Sequence, residues 1–119
     1  LLDKRINERA RAMFDGGLVE EVAALIDQGI REGETAPRAI GYAQALAVID
    51  GTMSVPEAVD STALATRQLA SRQIKWFRRD PRLHWIDVAL TEAGQCTDSE
   101  RSRLTRQAWE LVCARRGVA

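Results

Sequence analysis

Between Arg67 and Arg82 the sequence Arg-Gln-Leu-Ala-Ser-Arg-Gln-Ile-Lys-Trp-Phe-Arg-Arg-Asp-Pro-Arg carries six basic residues against one acid, Asp80. The chain as a whole is neutral, with 17 lysines and arginines against 17 aspartates and glutamates, so no general field draws it to polyanions and the signal is local. At helical spacing Arg67, Ser71, Lys75 and Arg78 form one row, and Gln68, Arg72, Trp76 and Arg79 form the row beside it. Cations spaced along a helix suit phosphates, an indole gives an unstacked base a flat surface, and glutamine amides can bond its edge. Single-stranded RNA fits that chemistry. A basic helix lying on an acidic protein or a membrane surface is the competing reading.

Other candidates are weaker. Arg5 and Arg9 stand one helical turn apart, and on charge pattern alone they would pair with Asp3 or Glu8. The run Arg38-Ala39-Ile40-Gly41-Tyr42 falls at the beginning of an expected helix, where unsatisfied N–H groups and the helix dipole favour an anion. Gly41 would let another backbone approach, or mark tight helix packing, and Tyr42 would either stack on a base or close the core. His84 has no charge partner in sequence to relay a proton and reads as structural. Cys96 and Cys113 lack the spacing of a zinc site and are too few for a disulfide framework. Trp109 reads as packing.

The elements that must position these residues are mostly helices. Asp3 is placed to cap a first helix with Ile6, Ala10, Met13 and Phe14 on one stripe, stopped by Gly16-Gly17. A second helix runs from about Leu18 to Gln28 and buries Leu18, Val22, Leu25 and Ile26, with Gly29 ending it. Pro37 suits the first turn of a third helix, with Ile40, Ala43, Leu46, Ala47 and Ile49 on its buried side before Gly51. Ser54-Val55-Pro56-Glu57 has capping-box spacing and no breaker follows until Pro81, which predicts a fourth helix of about 24 residues. Val59, Ala63, Thr66, Ala70, Gln73 and Phe77 are its expected packing stripe. Thr97-Asp98-Ser99-Glu100 repeats the box before a last helix from about Asp98 to Arg115.

Leu83-His84-Trp85-Ile86-Asp87-Val88 alternates like a short strand. The expected fold is therefore mainly α, about five helices plus one strand, and a lone strand needs a neighbour. It reads as borrowed from a sheet elsewhere in a longer protein, as does a chain that opens on Leu1 and runs directly into a helical pattern. With no apolar run near the length of a membrane span and no signal-peptide pattern, the expected setting is the cytoplasm.

The stretch Ala65 to Arg78 closely resembles tRNA dimethylallyltransferases, in which Thr-Arg, Ala-Lys-Arg-Gln and Thr-Trp-Phe-Arg follow along a helix. Arg5-Ile6, Arg9, Met13, Gly17-Leu18 and Glu21-Val22 match the same family, as do Arg38 to Tyr42 and His84-Trp85-Ile86-Asp87. The resemblance covers roughly residues 2 to 88 and leaves the terminal segment, about 98–119, unsupported. Ser71 stands where the family usually has lysine, and Lys75 where threonine is common.

The resemblance implies transfer of a dimethylallyl group from its diphosphate to the exocyclic amine of the adenosine 3′ of the tRNA anticodon. It implies residues 38–42 and Ser71, Arg72, Gln73, Ile74, Lys75, Trp76, Phe77 and Arg78 as contacts to the anticodon loop. It also implies Arg9, with Arg5 in reserve, as a contact to diphosphate, whose oxygens a guanidinium fork suits. A P-loop and magnesium commonly serve that diphosphate. These 119 residues contain no G-x-x-x-x-G-K-[ST], so residues 1–119 read as the helical C-terminal part of a monomeric enzyme, inactive alone, whose strand joins the parallel sheet of a P-loop α/β core. A stand-alone helical module that binds RNA or protein without catalysis is the alternative.

Overall fold

The computed structural model describes residues 1–115. The described chain comprises five α-helices: α1 (Leu2–Asp15), α2 (Leu18–Ile26), α3 (Tyr42–Ile49), α4 (Val55–Arg78) and α5 (Asp98–Arg115). Two 3₁₀ turns, Ile30–Glu32 and Ala36–Arg38, lie between α2 and α3. The chain divides into two compact units, Leu1–Phe77 and Arg78–Ala119.

In the first unit, α1 begins two residues earlier than a cap at Asp3 would have it. Leu1 occupies the N-cap position and Asp3 lies inside the first turn, so Asp3 does not cap the helix; its charge favours the helix dipole instead. Ile6, Ala10 and Phe14 are buried as their spacing requires. Gly17, with φ 99°, starts α2, and Leu18 and Val22 of that helix are buried, Val22 completely. Gly29, with φ 88°, takes the left-handed turn expected of it after a helix that closes two residues early, at Ile26.

Pro37 starts a 3₁₀ turn rather than α3 itself. The α-helix begins only at Tyr42, after Gly41 turns the chain with φ 96° and ψ −51°. Ile40 is thereby left outside the helix, and Ala45 and Leu46 are the residues α3 buries. Arg31 clamps Asp50 at the end of α3 through two bonds of 2.7 and 3.2 Å. That guanidinium holds the Asp50 carboxyl below its ordinary range.

α4 has the expected 24 residues. Its capping box is complete: Glu57 N–H donates to Ser54 Oγ at 3.2 Å and Ser54 N–H to Glu57 Oε2 at 3.3 Å. The packing stripe is shorter than predicted. Ala58, Thr62 and Ala63 are buried, whereas Gln73 and Phe77 are exposed. Small residues set the contacts: Ala45 and Ala58 sit in one cluster with Phe14, Leu18, Val22 and Leu46, and Ala10 and Ala63 join Ile6 in another. Beyond Ala63 the helix fully buries no residue, and Ala65, Thr66, Arg67, Ala70 and Ile74 are half-buried.

In the second unit the strand expected over 83–88 does not form, and no strand occurs among the described residues. A strand needs a partner ladder, and here side chains of α5 satisfy the backbone instead. Ala89 N–H donates to Glu100 Oε1 at 2.9 Å, and Arg103 Nη2 donates to the Asp87 carbonyl at 2.7 Å. Thr97 Oγ1 accepts the Glu100 N–H at 3.2 Å, so α5 starts where its box predicts, with the glutamate side chain diverted to the loop. The Arg103 guanidinium, and after it the Ala89 amide, hold the Glu100 carboxyl down at about 2. α5 buries no residue, and Trp109 is 66% exposed rather than packed. Residues 116–119 of the expected terminal segment lie outside the described residues.

Candidate nucleic-acid interface

The second half of α4 carries the basic strip. Arg72, Lys75 and Arg78 are exposed, as are Ser71, Gln73, Phe77 and Arg79, and Ile74 is half-buried. No ion pair among the described residues engages Arg72, Lys75, Arg78 or Arg79. Asp80, the one acid in the run from Arg67 to Arg82, is held by the Arg82 guanidinium at 2.8 and 2.9 Å, which keeps its carboxyl below the ordinary range. The positive charge is therefore uncompensated. Trp76 is 69% exposed in the row with Arg72, its ring centroid 5.0 Å from that of Phe77 at an interplanar angle of 48°. Arg67, at the inner end of the strip, is committed to the fold by a hydrogen bond to Asn7 Oδ1 of α1.

Arg38, Ala39 and Ile40 are exposed, Gly41 is buried and Tyr42 is half-buried. Three amides of this segment are already engaged: Arg38 N–H donates to the Thr35 carbonyl at 3.1 Å, Ala39 N–H to the Ala36 carbonyl at 3.2 Å and Gly41 N–H to Gln44 Oε1 at 2.8 Å. Tyr42 Oη donates to Glu21 Oε1 of α2 at 3.2 Å, and the glutamate charge pushes the phenol pKa up. Tyr42 is thus pinned. The φ of Gly41 favours glycine, and a Cβ built there would lie 3.3 Å from Met13 Cε, so the methionine tip would have to shift.

Arg5 and Arg9 do not pair with Asp3 or Glu8; it is Lys4 that approaches Glu8, at 3.8 Å. Both arginines line an open groove of about 660 Å³ between α1, α4 and Ile40. Its polar lining is Arg5, Arg9, Thr62 and Thr66, and its apolar lining includes Leu2, Ile6, Met13, Ile40 and Leu69. Thr62 is 2% exposed and its hydroxyl has no hydrogen-bond partner, whereas Thr66 donates to the Thr62 carbonyl at 2.8 Å. Two cations above an apolar floor suit a ligand with an anionic head and a hydrocarbon body.

Sequence reasoning located Arg5, Arg9 and Ile40 separately but not the groove that unites them. It also missed Gln44, Ser61, Thr62 and Leu69. Gln44 could have been found from its place three residues after Gly41, the N3 position of α3. Thr62 offers no such signal. His84 is exposed, Cys96 and Cys113 are free thiols, and no group of three or more His, Cys, Asp or Glu among the described residues could hold a metal ion.

The family model described as IPP transferase matches residues 1–80, which takes in α1 to α4, the groove and the strip. The chain belongs to the IPP transferase family. It is 58% identical over 96 residues to a tRNA dimethylallyltransferase of Rhodococcus jostii, covering 81% of this chain and 31% of that protein. A tRNA dimethylallyltransferase of Mycobacterium tuberculosis is 46% identical over 114 residues, covering 93% of this chain and 35% of the relative. Among solved structures, the full-length tRNA isopentenylpyrophosphate transferase of Bacillus halodurans superposes with a TM-score of 0.66 at 37% identity, over 72% of this chain and 28% of that one. The corresponding Staphylococcus epidermidis enzyme gives 0.63 at 39% identity. The chain thus spans about a third of the length of the relatives it matches. Within the family segment, Ser71 and Lys75 are both exposed, so the cation one turn beyond Ser71 faces solvent from the same row.

Proposed function

We propose that this chain is the tRNA-gripping part of a cytoplasmic tRNA dimethylallyltransferase. The carrying observation is the uncompensated row of Arg72, Lys75 and Arg78 with Trp76 exposed among them on the second half of α4. Cations without carboxylate partners take phosphates, and the indole and Gln73 receive a base that has left its stack. Arg38 and Ile40 contribute from the segment before α3.

In the reaction proposed for the full-length, monomeric protein, the exocyclic nitrogen of adenosine attacks the allylic carbon of dimethylallyl diphosphate. The carbon–oxygen bond breaks, diphosphate leaves with its electron pair, and the amine gives up a proton. Arg9, supported by Arg5, faces the departing negative charge from the groove, while Leu2, Ile40 and Leu69 exclude water from the allylic carbon. The Thr62 hydroxyl is the one buried group in the groove wall still able to bond. Magnesium and the phosphate loop belong, in this proposal, to residues outside this chain, whose 119 residues contain no G-x-x-x-x-G-K-[ST].

The test is competition binding with the full-length protein. A tRNA anticodon stem-loop is expected to bind, and a duplex of equal charge to bind weakly, because readout of an extruded base needs a loop. Equal affinity for both would reduce the strip to simple electrostatics, and the absence of prenyl transfer to the stem-loop would overturn the enzymatic reading.

A further inference from the structure

Two segments proposed to meet tRNA, residues 38–42 and the far half of α4, lie on different elements, and the donor groove lies between α1 and α4. Alkylation demands that these parts keep a fixed separation, since the attacking nitrogen and the allylic carbon must come within near-attack distance. The side chain of Gln44 links the turn at Gly41 to α4 beside the groove. Gln44, in the first turn of α3, accepts the Gly41 N–H through Oε1 at 2.8 Å and donates through Nε2 to Ser61 Oγ of α4 at 3.3 Å.

Both of its bonds act on the segment that carries Ile40. The first fixes the Gly41 peptide, whose φ of 96° glycine adopts readily and other residues rarely do. The second ties that turn to α4 one residue before Thr62, which lines the groove together with Ile40 and Leu69. Gln44 itself lines neither the groove nor the strip. It is half-buried, so both bonds are shielded in part from competing water. The Gly41 N–H uses only the Oε1 of the glutamine amide, which leaves Nε2 to donate to α4.

We infer that Gln44 is a positioning residue for prenyl transfer: by bridging Gly41 and Ser61 it sets the distance between the tRNA-facing segment 38–42 and the donor groove. This rests on the proposed transferase function. Cutting the bridge leaves the cations of α4 and the arginines of the groove in place, so it loosens alignment more than it weakens either ligand.

The experiment is steady-state prenyl transfer by the full-length enzyme carrying Gln44→Ala, Gln44→Glu or Ser61→Ala, with folding checked by thermal melting. Gln44→Ala is expected to lower kcat by about 10- to 100-fold, the scale of a misplacement near 1 Å, with the KM for the prenyl donor within about twofold of wild type. Gln44→Glu keeps an acceptor for Gly41 and can accept from the Ser61 hydroxyl, so it should restore most of kcat. Ser61→Ala, which leaves the Gly41 bond intact, should reproduce the fall in kcat. A lowered melting temperature with wild-type kcat in Gln44→Ala and Ser61→Ala would make the bridge merely structural and overturn the inference. Failure of the wild-type enzyme to transfer a prenyl group would overturn the functional reading instead.

Discussion

The side chains that decide affinity are those the fold leaves unpaired. Arg72 and Trp76 stand in one row of α4, exposed and without carboxylate neighbours among the described residues. Arg72→Ala and Trp76→Ala in the full-length protein should each weaken binding of a tRNA anticodon stem-loop by about 1–3 kcal/mol, measured by fluorescence anisotropy. Unchanged affinity in a folded variant would remove them from the interface. Arg9 is proposed to make a different kind of contact, from the groove it lines. Its fork matches diphosphate oxygens in a way an ammonium does not, so Arg9→Lys should recover little of the kcat/KM lost in Arg9→Ala. Full recovery would mean that charge alone matters there. At this scale the sequence was informative about residue type and row, because helical spacing follows from chain geometry. It was silent on pairing: Arg67 and Arg72 look alike in sequence, yet only Arg67 meets Asn7.

Elements in this chain are set by local signals where those signals are strong and by packing where they are weak. The Ser54–Glu57 box fixed the start of α4, and Ser54→Ala should cost about 1 kcal/mol in a denaturant titration. Gly41→Ala should cost about 1–3 kcal/mol, since alanine must adopt a positive φ there with a methionine methyl in its path. The Leu83–Val88 segment shows the limit of such signals, because alternation makes a strand only when another strand pairs with it. Its neighbours are instead Glu100 and Arg103 of α5. With its folded value lowered to about 2 from an ordinary 4.5, Glu100 contributes stability that is present above pH 4.5 and is lost as pH falls toward 2. The Ala89 amide resonance should accordingly titrate with a midpoint near 2, and Arg103→Ala should move that midpoint upward toward 4.5. A midpoint already at 4.5 in the unsubstituted protein would mean the carboxylate is not held.

For the molecule as a whole, neutrality coexists with a basic strip because positive charge is concentrated in one stretch of the chain. Acids elsewhere are spent on Arg31, Arg82 and Arg103, while the row on α4 keeps its cations free. Binding should therefore depend on salt through a few local contacts: replacing both Arg72 and Lys75 by alanine should reduce the slope of log K against log salt by about 2. A slope unchanged in that variant would place the phosphate contacts elsewhere. The chain spans about a third of its relatives' length, so this measurement belongs to the full-length protein.

By itself the sequence determined the helical class, the length of α4, the capping box that starts it, the start of α5, the left-handed Gly29 and the concentration of cations before Pro81. All of these arise from interactions within about four residues, which the order of residues specifies directly. Only the tertiary structure decided that α4 fully buries no residue after Ala63, that Arg5, Arg9, Thr62 and Ile40 share one groove, and that Gln44 reaches Ser61. Those are meetings between residues tens of positions apart. They depend on how α1, α3 and α4 close on one another over small alanines, a matter of shape that no local pattern encodes.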